Sequence, residues 1–233
     1  MDKVQDIVSD RPEQGGLTAA VVLDTLRKEY EPFPSEPRYD PVSELVFTIL
    51  SQHTSDRNSE RAFKQLMDNF GSFEEVAKGD TQLIAQCIAI GGLASIKAPR
   101  IQQVLNLIME RRGELDLYFL KDMPLEEAKS WLRDLPGIGP KSAAIILNFA
   151  LGMPAMAVDT HIYRVAKRLG LIGPKTGYEQ AHDVLENAVE PEQVFPFHVA
   201  LITHGRKVCK APKPLCQQCV LAYGCPSRDM GNK

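Results

Sequence analysis

Apolar positions along this chain recur mostly at three- and four-residue intervals, the spacing of helices that bury one face. Thr18 can cap a helix over 19–30, and Asp40-Pro41 sets a capping carboxylate before a proline suited to a first helical position. The second helix carries Leu45, Val46, Phe47, Ile49 and Leu50, a run dense enough to predict a buried element. Further helices are predicted over 56–69, 73–78, 81–90, 96–112, 125–133, 141–151, 160–169, 178–189 and 197–207. Glycines at 71, 79, 91, 113, 152 and 170 stand just past these ends, as C′ positions prefer. Convincing strand alternation is missing, which makes the fold class all-α.

The proline-rich connector Glu31-Pro32-Phe33-Pro34-Ser35-Glu36-Pro37 separates the first helix from the rest, and Gly152-Met153-Pro154 makes a second break. The expected organisation is a helical domain over 41–153 and a second domain from 17–40 with 154–233, after a flexible tail at 1–16. A chain of 233 residues can bury a real core in one large domain or two small ones.

With 44% hydrophobic and 24% charged residues the composition is that of an ordinary soluble protein. No apolar run approaches the roughly 20 residues that span a bilayer, and Met1-Asp2-Lys3 does not begin a secretory signal. A cytoplasmic protein is expected, in a compartment where clustered cysteines bind metal more readily than they pair. The formal charge of −3 argues mildly against nucleic acid until it is divided by position. Residues 1–132 carry 15 basic and 22 acidic side chains, residues 133–233 carry 12 and 8. The positive excess lies in the half that holds the motifs, so charge permits a phosphate backbone there without indicating one.

In Leu135-Pro136-Gly137-Ile138-Gly139-Pro140-Lys141 a Gly-x-Gly turn joins two short helices. Gly137 and Gly139 allow positive φ and close approach of backbone N–H groups, and the following helix N-terminus favours an anion. Such a hairpin grips DNA backbone without reading sequence, though a glycine-capped helix turn is the plain alternative. Lys141 follows directly, and helix walls around it are expected to lower its ammonium toward a usable nucleophile. Helix 141–151 advances about 15 Å and an extended 152–158 returns about 23 Å, which allows Asp159 to come back beside Lys141. Asp159 also stands where a helix begins, a common capping position.

Cys209, Cys216, Cys219 and Cys225 follow one another as Cys-x6-Cys-x2-Cys-x5-Cys. Zinc sites more often use two knuckle pairs across a longer insert, while a compact four-thiolate loop suits an iron–sulfur cluster; spacing alone leaves both open. Arg206, Lys207, Lys210 and Lys213 crowd the loop as a phosphate-facing surface or as solvated charge, and Cys87 reads as a core residue.

Taken together, the hairpin block, Ala157-Val158-Asp159-Thr160-His161-Ile162-Tyr163-Arg164-Val165, His204-Gly205-Arg206 and the four cysteines resemble the endonuclease III family, DNA glycosylases of the helix–hairpin–helix–Gly/Pro–Asp superfamily. The similarity spans roughly residues 20–225. It implies a six-helix barrel domain beside a cluster domain, with a substrate pocket in the cleft between them. It further implies a [4Fe-4S] cluster on Cys209, Cys216, Cys219 and Cys225, and Lys141 and Asp159 as catalytic residues. Lysine at position 141 implies a bifunctional enzyme that excises oxidised pyrimidines and nicks the strand, rather than a monofunctional mismatch or adenine glycosylase. The partner implied is double-stranded DNA with damaged bases or abasic sites, met by a monomer. Leu50-Ser51-Gln52-His53-Thr54-Ser55-Asp56 resembles the segment that fills the gap left by a flipped base. His53 aligns with the family glutamine and Gln52 precedes it, leaving both as candidates. Gly91-Gly92-Leu93-Ala94-Ser95 resembles the wedge loop with one extra residue, and makes Leu93 the wedge candidate. Gly137, Gly139, Arg206, Lys210 and Lys213 complete the expected DNA-binding set.

Overall fold

The structure is a computed structural model that describes residues 16–34 and 37–228; the tail expected at 1–16 lies, apart from Gly16, outside the described residues. Eleven α-helices run in order along them: α1 Ala19–Tyr30, α2 Pro41–Ser51, α3 Asp56–Phe70, α4 Phe73–Lys78, α5 Thr81–Cys87, α6 Ala94–Arg112, α7 Leu125–Arg133, α8 Pro140–Leu151, α9 Thr160–Leu169, α10 Gln180–Glu186 and α11 Val194–Lys207. No strand occurs among the described residues, and the all-α expectation holds. No helix among them is long and apolar enough to cross a membrane.

Two compact units make up the chain: Met1–Ser35 with Met156–Lys233, and Glu36–Ala155. Within the second unit, α2 is buried from Pro41 to Leu50 and packs on α8 and α3. Its start is fixed by Asp40, whose Oδ1 accepts from the backbone N–H groups of Val42 and Ser43 at 3.0 Å each. A cap of this kind contributes about 1 kcal/mol. The first unit packs α11 on α9 and α1, around Val22, Leu23, Leu26, Ile162, Val165, Phe197 and Leu201. Each fully buried aliphatic or aromatic side chain contributes about 1.5–3 kcal/mol, which is what holds such short helices in place.

Several boundaries differ from the sequence expectation, each for a local reason. The helix expected over 81–90 ends at Cys87, and a 3-10 turn, Ala89–Gly91, follows it. α6 begins at Ala94 rather than 96 because Leu93 turns left-handed and its carbonyl accepts from the Ile96 and Lys97 N–H groups. α11 begins at Val194, since Pro196 falls in the first turn, where a missing N–H breaks no helical bond. α10 is shorter than the 178–189 expected. Among the glycines, Gly71, Gly113, Gly152 and Gly170 take positive φ at helix ends, but Gly79 does not. A Cβ on Gly79 would lie 2.5 Å from the Phe70 ring, so that site needs glycine for space.

Candidate functional site

The hairpin between α7 and α8 is anchored by Leu135 and Ile138, both buried. Gly137 has φ +77°, and a Cβ there would lie 2.5 Å from Arg100 Cδ and Nε. The positive φ is what demands glycine, and the flexible end of Arg100 lies over its bare face. Gly139 is different: its φ of −90° is ordinary, and nothing lies within 4 Å of a Cβ built on it. No side chain caps α8, and Pro140 has no N–H, so this helix end faces outward with open space beside its backbone. Gln52 ties the hairpin to α2 by donating its amide to the Gly137 carbonyl at 3.1 Å, while its Oε1 accepts from Arg100 at 3.4 Å. His53, next along, is exposed with φ +53°. Leu93 has φ +52° and is 50% exposed.

Lys141 occupies the second position of α8 and is exposed. The expected helix walls are not there, because the buried face of α8 runs through Ala143, Ala144, Ile146 and Leu147 on the other side. Any desolvation of this amine must come from a bound partner.

Asp159 is 8% exposed and caps α9, its Oδ1 accepting from the Ile162 N–H at 2.7 Å. The segment before it has no exposed residue from Ala155 to Val158, and side chains hold its polar groups one by one. Asn148 donates to the Ala155 carbonyl at 2.8 Å and Glu186 accepts from the Met156 N–H at 2.8 Å. His198 Nδ1 lies 2.8 Å from the Ala157 carbonyl, placed to donate, and His182 Nδ1 stands between the Met156 carbonyl, at 2.8 Å, and the Val158 N–H, at 3.3 Å. Tyr178 donates to the Val158 carbonyl at 2.8 Å. Burial, with the Asp159 charge adding to it, pushes the Tyr178 hydroxyl up, which keeps it a donor. The carboxylate therefore sits on a backbone with no slack. Sequence reasoning missed Tyr178, His182, His198 and Arg100; two histidines on otherwise apolar helix faces were the available signal.

The C-terminal loop is clamped by two arginines one turn apart on α9. Arg164 donates to the carbonyls of Gly205 at 2.8 Å and Cys209 at 3.0 Å; Arg168 donates to those of Lys210 at 2.7 Å and Ala211 at 3.0 Å. Gly205 lets α11 approach α9, since a Cβ on it would lie 3.0 Å from His161 Cβ. Arg206, Lys210 and Lys213 are exposed around this loop.

Cys209, Cys216, Cys219 and Cys225 line one cavity with His204, Arg168 and Leu169. Burial raises the Cys219 thiol, and repulsion from each of the other three sulfurs adds to it. Even so, no group of three or more His, Cys, Asp or Glu among the described residues stands close enough to hold one metal ion. The two observations agree if the four sulfurs surround a space wider than a single ion. Two donors reach them. Arg168 lies 3.5 Å from Cys209 Sγ, and His204 Nε2 lies 3.5 Å from Cys219 Sγ. Burial lowers His204 to about 4 and, with Glu29 contributing, raises Tyr30 to about 12. The imidazole is therefore neutral at physiological pH, with Nδ1 3.0 Å from the Tyr30 hydroxyl; against a Cys219 thiolate it carries its proton on Nε2 and accepts from Tyr30 at Nδ1.

A family model described as HhH-GPD superfamily base excision DNA repair protein matches residues 46–191. The chain is 32% identical to Endonuclease III of Thermotoga maritima over 80% of its own length and 83% of that protein's. It is 34% identical to Endonuclease III of Synechocystis, covering 90% and 92% of the two chains. Among solved structures, a trapped Endonuclease III–DNA covalent intermediate superimposes with a TM-score of 0.78 at 26% identity, over 93% of this chain and 100% of that one.

Proposed function

Because the chain belongs to the HhH-GPD superfamily of base excision DNA repair proteins, we propose that it is a bifunctional glycosylase and abasic-site lyase acting on oxidised pyrimidines in duplex DNA. The observation that carries this reading is Lys141, an exposed primary amine in the first turn of the helix that follows the glycine hairpin. A DNA-binding hairpin alone needs no amine there, and a monofunctional glycosylase needs none either.

In this reading the open backbone at Gly139 and the N-terminus of α8 take a phosphate, and the exposed Arg206, Lys210 and Lys213 supply positive charge for duplex backbone. A damaged base, already poorly stacked, turns out of the duplex. The Lys141 amine attacks C1′ of the sugar with its lone pair; the C1′–N bond breaks and the base departs with that bond's electron pair, taking a proton from water. Asp159 stabilises the positive charge that builds at the sugar and takes up the amine proton. As the C1′–O4′ bond then opens, O4′ takes that proton and leaves a protonated imine, which acidifies C2′. Loss of the C2′ proton drives out the 3′ phosphate, cutting the strand, and water then releases Lys141.

Cys209, Cys216, Cys219 and Cys225 would hold a [4Fe-4S] cluster as thiolates. Four mutually repelling sulfurs around one cavity, with donors from Arg168 and His204, suit a group larger than one ion and in need of positive metal. When bound it cross-links the basic loop and takes no step in the reaction. The protein is assigned to the cytoplasm, acting on nucleoid DNA as a monomer.

The test is incubation with duplexes carrying thymine glycol, an abasic site or a mismatched adenine, with and without alkali. Strand cleavage of the first two without alkali, and borohydride trapping that Lys141→Gln abolishes while DNA binding persists, is the expected result. Breaks that need alkali would mean a monofunctional enzyme, and intact strands a binding protein.

A further inference from the structure

Lys97 is one of the largest fully buried side chains among the described residues, 2% exposed, and no carboxylate pairs with it there. A buried ammonium without a counter-charge is costly, and lysine is rarely found so placed. Its three protons are all used: Nζ donates to the Leu50 carbonyl at 2.6 Å, the Thr54 hydroxyl at 2.8 Å and the Gly91 carbonyl at 3.0 Å. Burial pulls this ammonium below the ordinary lysine value, and all three of its bonds go to oxygen acceptors.

Those acceptors belong to two separate turns, one after α2 and one before α6. Thr54 Oγ1 joins them directly, within reach of the carbonyls of both Gln52 (3.1 Å) and Gly91. Each turn holds one of the two non-glycine residues with positive φ among the described residues, His53 at +53° and Leu93 at +52°. Left-handed backbone under a leucine is strained and persists only where its surroundings over-determine it. Both strained residues point side chains to solvent, with Ile96, 51% exposed, beside Leu93.

We infer that Lys97 is a positioning residue: it locks the His53 and Leu93 turns into one preset double wedge, so that base extrusion meets a rigid protein instead of two loops that must be ordered on the DNA. This rests on the glycosylase reading above. It assigns to a buried lysine a share of the extrusion step alone.

The test uses the full-length protein carrying Lys97→Met, which keeps the stem without the ammonium, and Thr54→Val, which removes one acceptor with little change of shape. Leu105→Ala, a core change elsewhere in α6, is the control for general loss of stability. Single-turnover excision of thymine glycol is compared with cleavage at a preformed abasic site, which has no base to extrude, and 2-aminopurine beside the lesion reports unstacking. Lys97→Met is expected to slow excision and the fluorescence change about tenfold or more, Thr54→Val in the same direction by less, with abasic-site cleavage within about twofold of wild type and Leu105→Ala altering neither. If Lys97→Met does not fold, Thr54→Val decides. The inference is overturned if the variants that fold excise at the wild-type rate, if both substrates slow equally, or if Leu105→Ala reproduces the effect. Failure of the wild-type protein on both duplexes would instead sink the glycosylase reading.

Discussion

Gln52 spends its side chain on the Gly137 carbonyl, at 3.1 Å, and on Arg100, whereas its neighbour His53 stands exposed on a left-handed backbone. Of the two candidates for filling the gap left by an extruded base, only His53 is presented outward without giving up a bond to the hairpin. His53→Ala should therefore lower the single-turnover excision rate about tenfold with little change in affinity for undamaged duplex. Gln52→Ala should do the reverse, loosening the hairpin and weakening binding to any duplex. Stopped-flow excision and fluorescence anisotropy separate the two; the opposite pattern would make Gln52 the plug.

The two hairpin glycines should also separate. Gly137→Ala meets both a positive φ and Arg100, and is expected to cost at least about 1 kcal/mol of stability. Gly139→Ala fits its extended backbone and the open space beside it, so melting should be unchanged while affinity for duplex falls several-fold as the methyl group intrudes on the phosphate site. Equal melting losses in both would remove the distinction between a folding glycine and a binding one.

Asp159 caps α9 and, in the proposed mechanism, also serves the reaction; substitution can divide the two. Asn keeps an oxygen for the Ile162 N–H, now 2.7 Å from Oδ1, and is as good an N-cap as Asp. Asp159→Asn is thus expected to melt within about 1 kcal/mol of wild type yet lose base excision by a hundredfold or more. Asp159→Ala should lose both activity and about 1 kcal/mol of cap. Near-normal turnover in the Asn variant would reduce Asp159 to a cap.

His204 and Arg168 reach the sulfurs of Cys219 and Cys209 without being ligands of the expected kind. His204→Phe keeps the volume and all four cysteines but removes the donor and strands the Tyr30 hydroxyl. Purified wild-type protein is expected to be brown, with about four irons per chain. The variant should lose iron to a chelator several times faster, followed by visible absorbance. Stoichiometric zinc in the wild type would overturn the cluster itself.

What the sequence disclosed and what it hid divide along chain distance. The hairpin glycines, the Asp159 cap and the cysteine spacing are local patterns, each readable within a few residues. Lys97 was invisible as anything but a helix lysine, because its acceptor on Leu50 lies 47 positions away. Arg100 over Gly137, and His182 and His198 under the Asp159 segment, are likewise long-range pairings that no periodicity encodes. The helix walls expected around Lys141 are missing for a related reason: which face of α8 meets the core depends on α2, with which it packs.

The last expectation concerns Glu44, 1% exposed in the buried helix α2, with Arg38 at 3.0 Å. Arg38 is 46% exposed, and burial outweighs its attraction, so the Glu44 carboxyl is raised above the ordinary value. A raised carboxylate means that the folded state holds its proton at a pH where the unfolded chain has lost it. Its contribution to stability is present below the unfolded value, about 4.3, and is lost as pH rises through the folded one. At neutral pH the ionised group is consequently a burden that the ion pair does not fully offset. Glu44→Gln, which still accepts from Arg38, should melt above wild type at pH 7, with the advantage shrinking toward pH 4. Scanning calorimetry across that range tests it. A variant that melts lower at pH 7 would show the Arg38 pair outweighing desolvation.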